Sequence, residues 1–285
     1  MKLSISPGVR YMIYASFTFT LMKVCVKWID HIPPVEIILF RSIISLVISV
    51  AILKSKQIPI FGNNKPILIL RGFSGAIALF LFFVLLQQIP LAAASSMQYM
   101  APIFTSVLGI LIVREKVSWQ QFLFFGCSFV GVLIIQGFDT RISFEHLLLG
   151  IGSSLFTGLA YNFIRKLKTS EHALVIILYF PLVTLPLALI VSFFQWVTPQ
   201  GTDWIVLLMV GLFTQVAQYF MTRSYQTEEL SKVSIINYTG IVYSLAFGFL
   251  IFGELYNVLT YLGMALVLVG VLLNLWYKSR IPVKQ

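Results

Sequence analysis

Three ionisable side chains lie inside long apolar segments of the chain: Lys23, Glu36 and Arg41. An ionisable side chain in a membrane-spanning segment is costly, so it usually faces a cavity or a partner. A lysine and an arginine on neighbouring segments could together bind a carboxylate or a phosphate, and the guanidinium group would add a two-pronged contact. The alternatives are that Lys23 extends to the nearby membrane surface and that Arg41 caps backbone carbonyls or pairs with Glu36.

Uncharged polar side chains in the middle of other apolar segments could complete a polar pocket. Gln98 and Tyr99 occupy one segment, and Asn237 and Tyr238 stand 139 residues later at the matching positions of another. Such groups provide the few hydrogen bonds that orient a ligand in a largely apolar pocket. The alternative is hydrogen bonding between helices, which contributes about 0.6–2 kcal/mol per bond in membranes. The other candidates for substrate binding are Tyr161, Asn162, Gln215 and Gln218.

Two glutamates follow the same local pattern, Glu115 in GILIVREKVSW and Glu254 in GFLIFGELYNV. Each ends an apolar segment, and Glu115 stands between Arg114 and Lys116. Neither lies deep enough to carry a proton at the centre of a membrane, so both are predicted to mark helix ends. A gating role stays open for both, through ion pairs that form in only one facing state, and Glu36 is a third gating candidate.

The composition of the 285-residue chain is that of a polytopic membrane protein. Its mean hydropathy is +0.93, and 59% of its residues are hydrophobic while 11% are charged. A membrane helix needs about 20 mostly apolar residues. Ten such windows lie near 9–29, 34–53, 66–88, 90–113, 118–137, 147–164, 172–195, 203–222, 231–252 and 256–277. The first apolar stretch is too long for a signal peptide and lacks its cleavage site, so it is predicted to be the first spanning helix.

The net charge of +10 is explained by topology. Cytoplasmic loops keep an excess of Lys and Arg, and with the N-terminus inside, sixteen of the twenty basic residues fall on the inner side, Arg71 among them. We therefore expect both termini in the cytoplasm. The expected partners are the lipid bilayer and a small-molecule substrate, and no nucleic acid. The sequence leaves a homodimer open.

The chain repeats itself at an offset of 139 residues. Residues 90–133 align with 229–272 without a gap, and twelve of the 44 positions are identical. The predicted repeats are 1–139 and 140–285, with five helices each. Because five is an odd number, the second repeat enters the membrane from the opposite side. The predicted fold class is an all-α integral membrane protein with ten transmembrane helices in two inverted five-helix repeats, a plan that recurs among secondary transporters.

These features resemble the EamA family of the drug/metabolite transporter superfamily. The resemblance rests on Arg41 in the second helix, the fourth-helix pattern from Pro90 through Pro102 to Glu115, its counterpart ending in Phe252-Gly253-Glu254, and the glycine-rich fifth and tenth helices. Arg114 departs from the family pattern, which has a small residue before this glutamate. The resemblance covers nearly the whole chain. It implies transport without naming a substrate, and it implies that helices five and ten lie outside the transport core.

The function expected from these features is secondary transport of a small polar metabolite by alternating access. The basic residues favour an organic anion or an amino-acid-like solute, moved by an exporter or exchanger in a bacterial inner membrane. The alternative within this class is a transporter of nucleotide derivatives or of cationic drugs and metabolites, and the alternative outside it is a channel. An integral membrane enzyme is disfavoured because the sequence has no pair of mid-span aspartates and no Gly-x-Ser-x-Gly motif. No cofactor and no metal ion are expected.

Overall fold

The computed structural model describes residues 6–112, 118–167, 169–227 and 236–280. Within these ranges the regular structure is helical and no strand is present. The helices are α1 (Pro7–Trp28), α2 (Pro34–Ser55), α3 (Lys65–Gln88), α4 (Leu91–Gln98), α5 (Ala101–Ile112), α6 (Trp119–Phe138), α7 (Phe144–Leu167), α8 (Ala173–Ser192), α9 (Asp203–Thr227), α10 (Thr239–Phe252) and α11 (Val258–Arg280). Glu115, one of the gating candidates, lies outside the described residues.

Seven segments of the described chain are long and apolar enough to cross a membrane: α2, α3, the combined α4 and α5, α6, α7, α8 and most of α9. α10 and the first part of α11 are apolar but shorter. α1 has 22 residues and carries Arg10, Lys23 and Lys27. Large apolar side chains cover the outside of the helices, with Leu111 80% exposed and Leu250 72% exposed. Apolar surface of this extent is covered by lipid in a multi-pass membrane protein.

The fourth predicted span, 90–113, is two helices rather than one. α4 ends at Gln98, Tyr99 and Met100 form a turn, and α5 begins at Ala101. Pro102 lacks the N–H that would bond to the carbonyl of Gln98, and proline also disfavours helical geometry in the residue before it, which explains the interruption. In transporters, helices broken within the membrane line the substrate cavity, where the freed backbone groups find new partners.

α4 lies at the centre of the described helices. All seven residues from Leu91 to Met97 are buried, and α4 contacts α1, α3, α6, α7, α10 and α11. Around it, α1 packs on α9, α2 on α8, α3 on α7, and α6 on α11. The helices that contact α4 therefore bring their inward faces to one central region.

α6 and α11 approach each other through glycines. A Cβ added to Gly131 would lie 2.6 Å from the carbonyl oxygen of Gly263, and one added to Gly263 would lie 2.8 Å from that of Gly131. Membrane helices gain van der Waals contact when small residues let their backbones come this close. The two helices thus form a tight pair of their own.

Candidate transport site

Lys23 lies in a buried polar cluster between α1, α3, α4 and α10. Lys23 is 5% exposed, and its ammonium group donates a hydrogen bond to Ser95 Oγ at 3.2 Å. The same group lies over the rings of Phe82 and Tyr99, 5.5 and 5.4 Å from their centroids. The Ser95 hydroxyl is also 2.9 Å from the Ser244 hydroxyl on α10. We call Lys23, Phe82, Ser95, Tyr99 and Ser244 the lysine cluster.

The lysine cluster contains no carboxylate. The ion pairs of the described residues are Lys27 with Glu254 and Arg141 with Asp139, and His31 with Asp203 when the histidine is protonated. An ammonium group taken out of water loses several kcal/mol of hydration. Against this, a hydrogen bond to a charged group contributes about 1.5–3 kcal/mol, and a desolvated cation–π contact about 2 kcal/mol. The cluster stabilises the charge without neutralising it, which makes the site attractive to an anion.

Tyr99 ties the end of α4 to the segment before α10. Its hydroxyl donates to the backbone carbonyl of Asn237 at 3.1 Å, and Ser16 on α1 donates to the same carbonyl at 3.0 Å. The rings of Tyr99 and Tyr238 are tilted against each other, with centroids 4.9 Å apart. The structure brings these predicted residues together, but through the backbone of Asn237. Gln98 is half-buried and forms no side-chain hydrogen bond with a described residue.

A second buried cationic cluster lies between α2, α3, α8 and α9. Arg41 is 3% exposed, and it donates from Nε to Thr214 Oγ1 at 3.0 Å. The guanidinium carbons of Arg41 and Arg71 lie 5.0 and 4.7 Å from the centroid of one ring, that of Phe180. Gly75 makes room for this ring, because a Cβ there would come within 2.7 Å of it. We call Arg41, Arg71 and Phe180 the arginine cluster.

Arg71 is the functional candidate that sequence reasoning misses. Its place near the start of an apolar window assigns it to the inner membrane surface, yet it is 7% exposed. α3 begins at Lys65, so Arg71 stands in the second turn, about 9 Å along the helix axis. Close packing of α8 on Gly72 and Gly75 then encloses the side chain. The one signal in the sequence is the run ILILRGF, in which Arg71 follows four apolar residues.

A cavity of about 10 Å³ adjoins the arginine cluster and is also lined by Ser45, Gln215 and Gln218. Gln215 donates from Nε2 to Ser49 Oγ at 3.2 Å. Its Oε1, Ser45 Oγ, and Nε and Nη1 of Arg71 are buried without a hydrogen-bond partner among the described residues. A space of this size holds about one water-sized species. Gln215 and Gln218 therefore line the same cavity as Arg41, while Lys23 lies in a different cluster.

The two guanidinium groups of the arginine cluster repel each other. Both lie against one ring, 5.0 and 4.7 Å from its centroid, so they are at most about 10 Å apart. Two charges at that limit repel by roughly 1.7 kcal/mol at an effective dielectric constant of about 20, and each buried ion also loses several kcal/mol of hydration. Stacking on Phe180 contributes about 2 kcal/mol for each contact. Neither arginine is ion-paired with an acidic residue in the described part of the chain. The described structure thus leaves two positive charges without a counter-charge.

α7 contributes two predicted residues, which have different surroundings. Tyr161 is half-buried and interacts electrostatically with both Arg71 and Tyr99, so it lies near both clusters. Asn162 is fully buried and donates from Nδ2 to the carbonyl of Thr105 on α5 at 2.9 Å and to a carbonyl of its own helix at 3.0 Å. The amide nitrogen of Asn162 therefore fastens α7 to α5, which is the helix-bonding alternative for such residues.

Glu36 is buried at the start of α2. Its Oε2 accepts a hydrogen bond from the backbone N–H of Val197 at 3.0 Å, and its Oε1 has no partner among the described residues. Arg41 bonds to Thr214 instead, so the ion pair between Arg41 and Glu36 that the sequence left open does not form. Glu36 anchors the segment between α8 and α9 to α2.

Glu254 is held one helical turn away from the lysine cluster. The backbone N–H of Leu91 donates one hydrogen bond that is shared between the two oxygens of this carboxylate, at 2.9 and 3.1 Å, and the hydroxyl of Tyr256 donates another at 2.8 Å. The carboxylate also pairs with Lys27 at 3.2 Å. Leu91 is the first residue of α4, where a helix favours negative charge. We call Lys27, Leu91, Glu254 and Tyr256 the glutamate clasp.

Two glycines place the carboxylate of Glu254. Gly253 ends α10 in the left-handed region with φ +63°, where its N–H bonds to the carbonyl of Phe249 and the N–H of Glu254 bonds to that of Gly248. The bond from Gly253 to Phe249 is that of the left-handed (αL) C-cap motif, for which glycine is the favoured residue. A Cβ on Gly248 would lie 2.6 Å from Glu254 Oε2. The glycines of GFLIFGE therefore turn the chain and leave space for the carboxylate.

Arg141 extends the glutamate clasp outside the helices. It bonds to Asp139 at 2.7 and 2.8 Å and to the carbonyl of Leu255 at 3.0 Å, and it lies 5.1 Å from the centroid of the Tyr256 ring. Burial acts to raise the pKa of Asp139, but the hydrogen bonds and charge of Arg141 outweigh it and hold that pKa below its usual value. Burial also raises the pKa of Tyr256. Tyr256 is therefore neutral at physiological pH and able to donate to Glu254.

The profile of the EamA-like transporter family matches residues 6–137 and again residues 145–276. The chain belongs to the EamA-like transporter family. A solved structure, at 14% sequence identity, has the same fold with a TM-score of 0.70 over 96% of this chain and 97% of its own.

Named relatives of this EamA-family chain are transporters. It is 29% identical to the pseudopaline exporter CntI of Pseudomonas aeruginosa over 266 residues, which are 92% of this chain and 94% of that protein. It is 28% identical to human solute carrier family 35 member G1, over 95% of this chain and 80% of the relative. It is 23% identical to a riboflavin transporter of Vibrio cholerae, over 93% and 91%. The chain is therefore a membrane transporter of small metabolites and not an enzyme.

The predicted binding residues of the EamA-family chain divide between the two clusters. Lys23, Tyr99, Asn237 and Tyr238 lie in or beside the lysine cluster, and Arg41, Gln215 and Gln218 in or beside the arginine cluster. The described residues contain no group of three His, Cys, Asp or Glu side chains placed to hold a metal ion.

Proposed function

We propose that the chain is a secondary transporter that moves a small organic anion or amino-acid-like solute by alternating access, as an exporter or exchanger. The observation that carries the proposal is Lys23, a buried cation inside α1 that has a hydroxyl and two ring faces as its partners and no carboxylate. The arginine cluster adds two more buried cations. Three positive charges repel a cationic drug, so that alternative is disfavoured.

Export is the direction that the electrostatics favours for an anion. The membrane potential, negative inside, assists an anion leaving the cell by about 2.3 kcal/mol per charge per 100 mV. Outward movement then needs no coupling ion. The name of the relative from Pseudomonas aeruginosa, an exporter, agrees with this direction.

The architecture proposed for this mechanism is ten spanning helices in two inverted repeats, 1–139 and 140–285. Its support comes from contacts between residues that are 139 positions apart. Equivalent residues of two repeats related by a two-fold axis can touch each other only near that axis. The contacts are Tyr99 with Tyr238, Arg41 with Phe180, Cys127 with the carbonyl of Leu266 and Ser128 with that of Val267.

The proposed topology has both termini in the cytoplasm of a bacterial cell, with the chain in the inner membrane. Contacts between the connecting segments support it, because each contact joins segments that ten spans would place on one side. On the outer side, His31 contacts Asp203 at 3.1 Å and Arg141 contacts the Leu255 carbonyl at 3.0 Å. On the inner side, the N–H of Asn64 contacts Glu171 at 2.5 Å.

Within this topology the glutamate clasp is the outer gate. It joins the outer end of α1 to the start of α4 and the end of α10, one turn above the lysine cluster. Glu254 is the gating residue that this geometry supports best. Glu36 is held by Val197 at the outer end of α2, so any gating role for it involves the segment between α8 and α9.

The proposal is tested by flux into proteoliposomes that hold the purified chain under an applied potential. Organic anions and amino acids are expected to show saturable transport. Lys23→Met keeps the length of the side chain and removes its charge. Loss of a charged hydrogen bond, about 1.5–3 kcal/mol, predicts at least about a tenfold fall in kcat/KM. The matched control is Lys56→Met, whose side chain is exposed after α2.

Three results would count against the proposal. Flux that rises linearly without saturation would indicate a channel. Transport of cations alone would exclude an anion carrier. Undiminished anion flux in Lys23→Met would remove the lysine cluster from the substrate path.

A further inference from the structure

Arg71 has two donor nitrogens without an acceptor among the described residues. Its Nε and Nη1 are buried, and no described residue accepts a hydrogen bond from them. With the side chain 7% exposed, these groups have no access to bulk solvent. Buried polar groups in proteins are almost always hydrogen-bonded, and a guanidinium group most often to an oxyanion. The partner that completes Arg71 is therefore a group outside the described chain.

The unsatisfied groups face one space. The cavity of about 10 Å³ is lined by Arg41, Arg71, Ser45, Gln215 and Gln218. The hydroxyl of Ser45 is a further buried group with no partner among the described residues, and it can donate a hydrogen bond into this space. The cavity accepts one water-sized species, which is the size of a halide or of one carboxylate oxygen.

The charge of the site calls for an anion rather than a neutral molecule. Both guanidinium groups lie against the ring of Phe180, 5.0 and 4.7 Å from its centroid. No acidic side chain of the described residues forms an ion pair with Arg41 or Arg71. A bound water would satisfy a donor but would leave both charges in place.

We propose that Arg41 and Arg71 form a second anion-binding subsite, separate from the lysine cluster, which binds a compact anion with help from the hydroxyl of Ser45. The anion is a carboxylate of the transported solute or a free inorganic anion such as chloride. The role of the subsite in transport rests on the proposed function, whereas its existence as a binding site does not.

Tyr161 lies near both clusters, and this bears on the choice of solute. Tyr161 is within range of Arg71 on one side and of Tyr99, under Lys23, on the other. A solute with two carboxylates has one anionic group for each of the two clusters. A solute with one carboxylate would occupy a single subsite and leave the arginine cluster to chloride.

The test measures anion binding to the purified full-length chain in detergent by calorimetric titration. Chloride, acetate and succinate are titrated separately at constant ionic strength in a background of a bulky sulfonate. The variants are Arg71→Gln, Arg71→Lys, which keeps the charge but loses the planar fork, and Arg223→Gln, a matched control whose side chain is exposed on α9. Arg71→Lys keeps the test informative if Arg71→Gln does not fold.

The expected result is saturable binding of at least one of these anions to the wild type and to Arg223→Gln. Arg71→Gln should weaken it about tenfold or more and Arg71→Lys several-fold. Dependence on Arg71 for succinate identifies a carboxylate, and dependence for chloride alone identifies an inorganic anion; both support the subsite. No binding of any anion, or equal affinity in the folded Arg71 variants and the control, would overturn it. Because these readouts involve no flux, they stand or fall apart from the transport assay.

Discussion

At the scale of single residues, the buried cations differ in how they are held. Lys23 has one flexible ammonium group, bonded to Ser95 and lying over two aromatic rings. The guanidinium groups of Arg41 and Arg71 are planar, and both are held against the ring of Phe180. A flexible cation can follow an anion as the protein changes its facing state, whereas a fixed pair selects an anion by geometry.

Ser95→Ala should weaken substrate binding by the lysine cluster. The change removes the acceptor that orients the ammonium group of Lys23, so we expect KM for the transported anion to rise about tenfold, in line with a charged hydrogen bond of about 1.5–3 kcal/mol. Saturable kinetics should remain. Initial rates in proteoliposomes measure this effect.

Ser96→Ala is the matched control for that change. The Ser96 hydroxyl is equally buried but bonds to the carbonyl of Ala92 in its own helix. A similar rise in KM for both variants would show that α4 is merely disturbed, and would contradict a specific role for Ser95.

At the scale of helices, the contacts that matter for function lie where helices end or are interrupted. α4 ends at Gln98, and the hydroxyl of the next residue, Tyr99, donates to the backbone carbonyl of Asn237 just before α10. At the other end, the first N–H of α4 is capped by Glu254, a residue from the end of α10. α4 and α10 are therefore connected at both ends of α4. If one of the two helices tilts, these contacts either break or make the other helix move with it.

Glu254→Gln should open the outer side. The change keeps the shape of the side chain and removes its charge, so Lys27 loses its ion-pair partner while the N–H of Leu91 keeps an acceptor. A weakening of about 1 kcal/mol shifts the equilibrium between facing states about fivefold. We expect at least that increase in the rate at which a membrane-impermeant maleimide labels Ser244→Cys from outside, with Cys25 and Cys127 replaced by serine.

His31→Gln is the control for the clasp. It removes the ionisable group from another outer contact, His31 with Asp203, in which the His31 side chain is 55% exposed, and exposed pairs contribute about 0–1 kcal/mol. When His31→Gln is added to the Ser244→Cys chain, the labelling rate should match that of the Ser244→Cys chain alone, which is the parent. Equal rates in Glu254→Gln and the parent would be incompatible with an outer gate.

At the scale of the whole molecule, the two family matches and the contacts between residues 139 positions apart describe one repeated unit used twice. If the repeats are inverted, the segments 56–64 and 193–202 lie on opposite sides of the membrane. The positive-inside rule places the first of them, with its neighbouring lysines, in the cytoplasm.

Single cysteines in those segments should be labelled from opposite sides. In a chain without Cys25 and Cys127, Asn63→Cys should react with an impermeant maleimide only after the cells are opened, and Gln200→Cys in intact cells. Both side chains are exposed and uncharged, so the changes leave the charge bias untouched. Labelling of both from the same side would contradict the inverted arrangement.

Helix positions were largely predictable from the sequence, and the site was predictable only in part. The predicted span 66–88 agrees with α3, which runs from Lys65 to Gln88. Such spans are predictable because an apolar segment in lipid must satisfy its backbone hydrogen bonds within a helix. The break at Tyr99 was missed, since Pro102 can bend a helix or interrupt it depending on its neighbours. Arg71 was missed because its burial depends on how closely α8 approaches Gly72 and Gly75.

The sequence by itself determined that the chain is helical and membrane-embedded, that it contains an internal repeat, and that basic residues lie within its apolar segments. These properties follow from composition and local pattern. Tertiary structure alone decided that Lys23 and Arg41 lie in different clusters, that Arg71 joins Arg41, and that Glu254 meets Lys27. The reason is physical. Hydropathy determines which segments enter the bilayer, but the rotation of each helix and its choice of neighbour depend on side-chain packing between helices distant in sequence.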